Sequence, residues 1–588
     1  MTKETAQIVT FSLVYCFLFV AFQVPFSEPD DYLMSYIANG SMGNAAGGDL
    51  IYPSSVFSVA LHYLYTINAN VNWYGAFLIA TQAISFSVWL WICIDKGDKV
   101  ITKTIVIVSA MLSLFVTTFT MTSYMSIFAG IALLLYNGKG GTQNRRKILA
   151  LVLIIWGYCI RNNTIVSAGV LFSGAVFSFW QGSNIKSGQW RFCIWGAVAI
   201  LAAFVLETSF PWTRKVLLAI VLLLLCILLF GKRCPYRVQM FYCSMAFLIV
   251  LVAMITSLDR YVEVATGRSE FHEYTQARSQ ALDHGYVPYE KIDEQLSEIG
   301  ISEVEYQMLF DWSFADKEVF SKEKLQQVAH ILAESSDNSP SLADLCTQIF
   351  KVKVLLAILF PAVVAFLLVL KGEKKIHLQN VIWTIVVLWG LVLVLALRQR
   401  LVTRVYLPLS IGCALQIILL GSTRDMTLSI GKRIECAISA GLLCALSLLA
   451  VNKFILEQNE KEVKEEISNY TLHNADTLFI MQSDLYNTAY YGAPIVSVKQ
   501  TSMFRNVMKS GSGDTFSPQH YEQAMRWQLT DPNRPLMALI QREDIQYIGY
   551  NFELYKEYLE QESELKLQCV QVESFSDEIG VYRFSAVK

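Results

Sequence analysis

The feature that most limits how this sequence can fold is a series of apolar runs, each about as long as a bilayer is thick, separated by short segments rich in Lys and Arg. Apolar residues make up 54% of the 588 residues, and the mean hydropathy is +0.41, which is above the usual range of water-soluble proteins. Charged residues are concentrated in residues 257–350 and 452–588. We therefore predict a polytopic α-helical membrane protein with two soluble regions.

Hydropathy predicts about thirteen transmembrane helices. The predicted spans are residues 8–26, 73–94, 104–120, 123–136, 148–161, 164–181, 192–208, 216–230, 240–257, 353–370, 380–397, 405–421 and 434–451. With Lys3 inside, the even-numbered connections are cytoplasmic, and they carry most of the loop Lys and Arg, as the positive-inside rule requires. An odd number of crossings then places the N-terminus in the cytoplasm and the C-terminal region outside a plasma (inner) membrane. The first helix is expected to be retained, because no small-residue cleavage pattern follows it.

This topology divides the chain into two parts. Residues 1–451 form a transmembrane domain with a first outer loop at residues 27–72 and a large helical outer loop at residues 257–352. Residues 452–588 form a small extracytoplasmic α/β domain. Within the first outer loop, an apolar stretch interrupted by Pro53 and rich in Tyr and Trp is typical of a helix that lies in the membrane interface.

The C-terminal region alternates between strand and helix patterns. "DTLFIMQS", "APIVSVK" and "IQYIGY" are predicted to be buried strands, "PQHYEQAMRWQL" and "FELYKEYLEQES" helices, and "LKLQCVQVES" with "GVYRFSAV" a closing hairpin. No GxxxxGK[ST] loop is present, so the pattern does not indicate nucleotide binding. The cysteines lie almost entirely in apolar segments or beside them, which argues against a disulfide framework.

The first candidate site is the acidic stretch "SEPDDY", which follows the first apolar run and contains Glu28, Asp30 and Asp31. Pro29 is typical of the first turn of a helix, where acids favour the helix dipole, so these residues could be a capping cluster. Alternatively, one carboxylate faces a water-filled cavity and accepts a proton as a general base. Two adjacent acids cannot point the same way from one helix turn, so the second would orient an acceptor, a metal or a backbone group.

The second candidate site is "RQRLVTRVYLP", with Arg398, Arg400 and Arg404 at the outer end of a predicted span. Positive charge on the outer side is contrary to the usual distribution, so a compensating anion is expected. A phosphate suits this role, because guanidinium groups bind it through bidentate, charge-assisted hydrogen bonds. Pairing with acids of the large outer loop, or contact with lipid headgroups, is the alternative. Arg161, in "CIRNNT", is a further candidate for an anion contact.

Other polar residues are weaker candidates. Glu28, Asp49, His62 and Tyr406 are possible contacts for an acceptor or a sugar. His272, Glu273, Asp283 and His284 show neither HExxH spacing nor a cysteine pair, so no metal site is predicted from them.

Taken together, the acids that open the first outer loop, the interfacial segment, the many spans and the outer C-terminal domain resemble the GT-C superfamily of membrane glycosyltransferases. More narrowly, they resemble the bacterial members that modify surface polysaccharides, cell-wall teichoic acids or lipid-linked glycans. Asp30 and Asp31 stand where that superfamily has its acidic pair, and "RVYLP" is similar to the Arg- and Tyr-containing start of a late helix. The tyrosine here follows Arg404 by two positions rather than directly.

The resemblance implies transfer of a hexosyl or pentosyl group from a polyprenyl-phosphate donor to a glycan or glycolipid acceptor outside the membrane. Asp30, the first acid of the pair, or Asp31 would be the base, and Arg404 with Arg398 or Arg400 would stabilise the departing phosphate. Some members use a divalent cation, Mg²⁺ or Mn²⁺, and others use none, so no cofactor is assigned. The lipid bilayer is an expected partner and nucleic acid is not.

Three other functions are compatible with the sequence. An O-antigen-type polysaccharide polymerase also has a large outer loop and arginines that bind polyprenyl diphosphates. A lipid or polysaccharide transporter would be expected to show inverted repeats and ionisable residues at mid-membrane, and neither is evident here. A GT-C-like scaffold without catalysis is the third alternative.

Overall fold

The structure is a computed structural model that is mostly helical. It describes residues 2–43, 50–98, 100–136, 143–176, 236–283, 286–335, 342–370, 378–397, 400–420, 461–550 and 552–587.

The helices that precede the C-terminal region fall into an N-terminal group, a helical outer loop and a second apolar group. The first group is α1 (Lys3–Ala21), α2 (Pro29–Ala38), α3 (Ser55–Ile67), α4 (Trp73–Lys96), α5 (Val100–Phe115), α6 (Phe119–Leu135), α7 (Gln143–Ile160), α8 (Thr164–Leu171) and α9 (Tyr236–Ala265). The outer loop contains α10 (Ser269–Asp283), α11 (Asp293–Glu298), α12 (Glu303–Phe310), α13 (Lys322–Ser335) and α14 (Leu342–Ile349). The second apolar group is α15 (Val352–Leu370), α16 (Leu378–Leu397) and α17 (Thr403–Leu420).

Ten of the predicted spans coincide with helices over at least part of their length, and the other three, at 192–208, 216–230 and 434–451, lie outside the described residues. The predicted span 104–120 crosses the end of α5 and the start of α6, and residues 177–181 of the span 164–181 lie outside the described residues. Within the described residues, five helices are long and apolar enough to cross a membrane. They are Lys3–Ala21, Trp73–Lys96, Cys243–Ala265, Gln379–Leu397 and Thr403–Leu420. The first helix ends five residues earlier than its predicted span, because residues 22–26 leave the helix and Pro25 pairs with Pro494 of the C-terminal domain.

The C-terminal domain is a five-stranded mixed sheet flanked by helices. Its elements are α18 (Lys461–His473), β1 (Leu478–Met481), α19 (Ser483–Tyr490), β2 (Val507–Lys509), α20 (Pro518–Arg526), α21 (Ala538–Gln541), β3 (Ile545–Gly549), α22 (Phe552–Ser563), β4 (Leu567–Ser574) and β5 (Gly580–Ala586). The strand order is β2-β1-β3-β5-β4. β1 is parallel to β2 and β3, whereas β5 is antiparallel to β3 and β4.

The predicted strand "APIVSVK" is wrong. Its central residues form a short 3-10 helix, Ile495–Ser497, and the remaining strand of the sheet is β2. The backbone of Ile495 is already bonded elsewhere, since its N–H donates to the Val24 carbonyl and its own carbonyl accepts from Asn72 Nδ2. These hydrogen bonds to Val24, just after α1, and to Asn72 of the first outer loop replace the hydrogen-bond ladder that a strand would need. The other predicted strands and helices of the domain are confirmed.

Both faces of the central strands β1 and β3 are buried, which explains why these strands are mostly apolar, whereas the edge strand β4 is largely exposed. Along β1, Phe479 and Met481 pack into the core that contains the apolar helices. The alternate residues, Leu478 and Ile480, pack into a second core that the sheet shares with the helical outer loop. The outer loop and the C-terminal sheet therefore complete one hydrophobic core between them.

The three segments predicted to share one side of the membrane contact one another. Tyr32 of the first outer loop donates to the Ala493 carbonyl at 2.6 Å, and its ring stacks on Tyr491 at 5.2 Å. The helical outer loop joins the sheet domain through Ala315, whose N–H donates to the Ser510 carbonyl at 2.8 Å. The first outer loop, the helical outer loop and the C-terminal domain therefore meet at a single junction.

Candidate active site

The acidic pair opens a helix, as its sequence predicts. Pro29 is the first residue of α2, and Asp30 and Asp31 occupy its first turn. Glu28, at the N-cap position, makes no side-chain capping bond. The capping interpretation therefore does not apply to Glu28, and the three carboxylates are directed to other partners.

Asp30 and Glu28 meet Arg404 at the start of α17. Arg404 Nη1 lies 2.9 Å from Asp30 Oδ2 and 3.4 Å from Glu28 Oε2. The three side chains retain 26–29% of their exposure, so the cluster is open to solvent. Burial raises the pKa of the Glu28 carboxyl, and the charge of Arg404 opposes this shift. The predicted convergence of the early acids with the late arginine is present in the structure.

Asp31 is directed away from this cluster and is fully buried. Its Oδ1 accepts hydrogen bonds from the Tyr74 hydroxyl at 2.8 Å and from the Phe119 backbone N–H at 2.9 Å. Its Oδ2 has no partner among the described residues. Burial raises the pKa of the Asp31 carboxyl well above its usual range, and the two hydrogen bonds only oppose that shift. Asp31 therefore orients a backbone group, and Asp30 is the candidate base.

Arg161 lies beside the same cluster, immediately after α7. Its Nη1 donates to Thr120 Oγ1 at 2.7 Å, and its guanidinium lies 4.7 Å from the centre of the Phe119 ring. It interacts electrostatically with Asp30 and Arg404 but forms no direct ion pair with a described carboxylate. A partly buried guanidinium without a bound acid is well suited to an anionic ligand.

Tyr52 of the first outer loop lies near Asp30, Arg161 and Arg404. Its ring stacks on Phe119 at 5.6 Å. Burial, with a smaller effect from Asp30, raises the pKa of Tyr52 to about 12. Arg161 and Arg404 act in the opposite direction, as does Arg278 of the helical outer loop. The Tyr52 hydroxyl is therefore within electrostatic range of three arginines and the candidate base.

The C-terminal domain contributes a buried ion pair that sequence analysis missed. Lys509 Nζ, at the end of β2, lies 3.6 Å from Asp514 Oδ1 and 3.1 Å from the Tyr491 hydroxyl. Burial lowers the pKa of Lys509, whereas the pKa of Asp514 is lowered because Lys509 and Ser512 outweigh its burial. Lys509 also interacts electrostatically with Asp30. In the sequence, the polar, glycine-rich segment "KSGSGD", which directly follows apolar residues, is the pattern that could have indicated this pair.

The other predicted residues lie outside this cluster. His62 is on α3 with its ring beside Tyr63, and Tyr406 is buried in α17 with its hydroxyl 3.1 Å from Thr403 Oγ1. Arg400 is exposed. None of these three takes part in the ion pairs of Arg404. Arg398 and Asp49 lie outside the described residues.

The arrangement combines a partly exposed carboxylate with two adjacent guanidinium groups. Asp30 Oδ2 is engaged by Arg404, while Asp30 Oδ1 accepts no hydrogen bond from the described part of the chain. Such a site can bind an anion and accept a proton from a neighbouring hydroxyl. Over the ranges that the structure describes, no group of three or more His, Cys, Asp or Glu is arranged to hold a metal ion.

No family model matches this sequence, and neither a curated protein nor a solved structure matches it.

Proposed function

We propose that this chain is an integral membrane glycosyltransferase that moves a hexosyl or pentosyl group from a polyprenyl-phosphate donor to a glycan or glycolipid acceptor. The observation that carries the proposal is the contact of Asp30 with Arg404, 2.9 Å apart, beside the guanidinium of Arg161, which forms no ion pair with a described carboxylate. A carboxylate that accepts a proton and a guanidinium that binds a phosphate together suit the displacement of a lipid phosphate.

In this proposal the reaction is a single displacement. The acceptor oxygen forms a bond to the anomeric carbon as the bond from that carbon to the phosphate oxygen breaks, and the bonding electrons leave with the phosphate. Asp30 accepts the proton of the acceptor hydroxyl. Arg404 and Arg161 stabilise the negative charge that develops on the polyprenyl phosphate.

The ion pair of Arg404 suggests an order of events. In the structure Arg404 holds one oxygen of Asp30. An arriving donor phosphate would compete for this guanidinium, since both ligands are anionic oxygens. Movement of Arg404 to the phosphate would leave both oxygens of Asp30 available to the acceptor, so donor binding prepares the base.

The proposed topology has about thirteen crossings, with the junction outside the membrane. The apolar helices support insertion, and the contacts between the three soluble segments are consistent with their being on one side. Cys346, which is exposed on α14, gives a test. In intact cells a membrane-impermeant maleimide should label the parent at Cys346, and in Cys346→Ser the labelling should fall to the level that the half-buried Cys569 of the C-terminal domain contributes. Labelling of Cys346 only after the cells are permeabilised would contradict the orientation.

The function is tested by sugar transfer in proteoliposomes with a panel of polyprenyl-phosphate sugars. Asp30→Asn should reduce transfer by about 10²–10⁴-fold and Arg404→Ala by about 10²–10³-fold. Asp577→Asn and Arg583→Ala remove the same chemical groups from exposed positions of the sheet domain and serve as matched controls. Undiminished transfer in both site variants would overturn the assignment of these residues.

A further inference from the structure

Arg278, on α10 of the helical outer loop, is a buried cation that forms no ion pair with a described acid. It is 5% exposed, and its Nη1 donates to the Ser512 carbonyl at 2.6 Å. Its Nε has no hydrogen-bond partner, and no described carboxylate lies within ion-pair distance of it. Buried guanidinium groups are normally paired, because desolvating an unpaired charge is unfavourable. The guanidinium of Arg278 lies 5.6 Å from the centre of the Phe314 ring, but no described acid compensates its charge.

The position of Arg278 connects it to the candidate site. Its hydrogen bond holds the "KSGSGD" segment that carries Lys509 and Asp514. The same segment lies against Tyr52 of the candidate site, since a Cβ at Gly513 would lie 3.4 Å from the Tyr52 hydroxyl. Arg278 also interacts electrostatically with Tyr52, as Arg161 and Arg404 do. Arg278 is thus a cation that the helical outer loop places at the junction of the first outer loop, the helical outer loop and the C-terminal domain.

The junction contains more positive than negative groups. Its cations come from four separate segments and are Arg161, Arg278, Arg404 and Lys509. Glu28 and Asp30 pair with Arg404, and Asp514 pairs with Lys509. No acid pairs directly with Arg161 or Arg278 among the described residues, so two guanidinium groups remain for ligands. A single phosphate at Arg161 and Arg404 would leave Arg278 uncompensated.

We propose that Arg278 binds a second phosphate group, so that the site accommodates two phosphates at once. This proposal rests on the proposed function and specifies its substrate class. The second phosphate has two sources: the diphosphate of a lipid-diphosphate sugar donor, or a phosphate carried by the acceptor glycan. In both, the planar guanidinium supplies bidentate, charge-assisted hydrogen bonds to the phosphate oxygens.

The test measures anion binding by the purified full chain in detergent, with inorganic pyrophosphate and inorganic phosphate as probes. In the parent, pyrophosphate should bind at least about tenfold more tightly than phosphate, which corresponds to about 1.4 kcal/mol. Arg278→Gln should abolish this preference, because the amide can still donate to the Ser512 carbonyl but has no charge. Arg278→Lys should retain part of it, and the control Arg583→Gln all of it.

Two results would overturn the proposal. One is equal affinity of the parent for pyrophosphate and phosphate. This measurement uses only the parent chain, so it does not depend on whether a variant folds. The other is an unchanged preference in a folded Arg278→Gln chain, which would show that Arg278 only holds the "KSGSGD" segment. The thermal midpoint without ligand reports whether each variant is folded.

Transfer assays identify the source of the second phosphate and separate this proposal from the proposed function. A loss of transfer in Arg278→Gln that is confined to diphosphate-linked donors identifies the donor as the source. An increased KM confined to phosphate-bearing acceptors identifies the acceptor. If the parent transfers no sugar but prefers pyrophosphate through Arg278, the glycosyltransferase proposal fails and the two-phosphate site stands. If the parent transfers sugar and Arg278→Gln is unchanged with every substrate, only the role of Arg278 fails.

Discussion

Arg404 Nη1 lies 2.9 Å from Asp30 Oδ2, although 374 positions separate the two residues in the chain. Each residue is in the first turn of its helix, Asp30 in α2 and Arg404 in α17. The helix dipole favours an acid at such a position and opposes a cation. The carboxylates of Glu28 and Asp30 therefore compensate an arginine that its own helix disfavours, and an anionic ligand could take over that role.

The two acids of the pair should respond differently to substitution. Asp31→Asn should change the thermal midpoint little, because an amide oxygen can still accept from Tyr74 and Phe119 and no charge has to be buried. Asp31→Ala should lower the free energy of unfolding by about 1–3 kcal/mol, since both donors lose their acceptor. Thermal unfolding of the purified chain measures both variants. Equal losses in the two would show that the charge of Asp31, rather than its oxygen, is needed.

Gly511 should not tolerate a side chain. A Cβ at this position would lie 2.4 Å from the Trp312 carbonyl oxygen and 2.8 Å from the Phe314 nitrogen, which are backbone atoms that cannot rotate away. Gly511→Ala should destabilise the chain by about 1–3 kcal/mol and displace the "KSGSGD" segment. Gly169→Ala is the control, because that site is open, and it should be neutral or stabilising by up to about 1 kcal/mol. Similar unfolding curves for the two variants would contradict the close packing at Gly511.

Arg534 should be important for attaching the helical outer loop to the sheet domain. Its Nε lies 2.8 Å from Oδ2 of Asp316, whose side chain is fully buried. Arg534→Ala leaves this carboxylate without its cation and should lower the free energy of unfolding by about 3–5 kcal/mol. Lys322→Ala breaks an exposed ion pair with Glu273 and should leave the free energy of unfolding nearly unchanged. Denaturant unfolding compares the two, and equal effects would argue against a special role for the buried pair.

Asp311 should make stability depend on pH. Burial raises the pKa of its carboxyl from 3.8 to about 6, although hydrogen bonds from Gln482 and Ser313 oppose the shift. Because the folded chain favours the protonated acid, the contribution of Asp311 to stability is complete below about pH 4 and is lost as the pH rises through about 6.

Asp311→Asn removes this titration and keeps an oxygen that can accept from Gln482. Its stability relative to the parent should therefore increase between about pH 4 and pH 6 and level off above. Unfolding measured across this pH range in both chains tests the prediction. Parallel stability curves would show that Asp311 does not titrate differently in the folded chain.

The sequence by itself determined the approximate positions of the apolar helices that the structure describes and most elements of the sheet domain, and it predicted the acids and the arginine that meet in the candidate site. These features depend on local patterns: the length of an apolar run, the alternation of a strand, a proline before two acids, and a cation at an unfavourable helix end. The sequence also indicated that two adjacent acids must have different partners. It did not distinguish them, because Asp30 and Asp31 have the same chemistry and neighbouring positions.

Only the tertiary structure decided which acid meets Arg404, because this depends on how α2 is rotated against α4 and α6, where Tyr74 and Phe119 hold Asp31. It also made Ile495–Ser497 a short helix rather than a strand, since the first outer loop takes its backbone hydrogen bonds. Lys509 and Arg278 join the site through packing between segments more than two hundred residues apart. Such long-range contacts leave no periodic pattern in the sequence, so they became visible only in the folded chain.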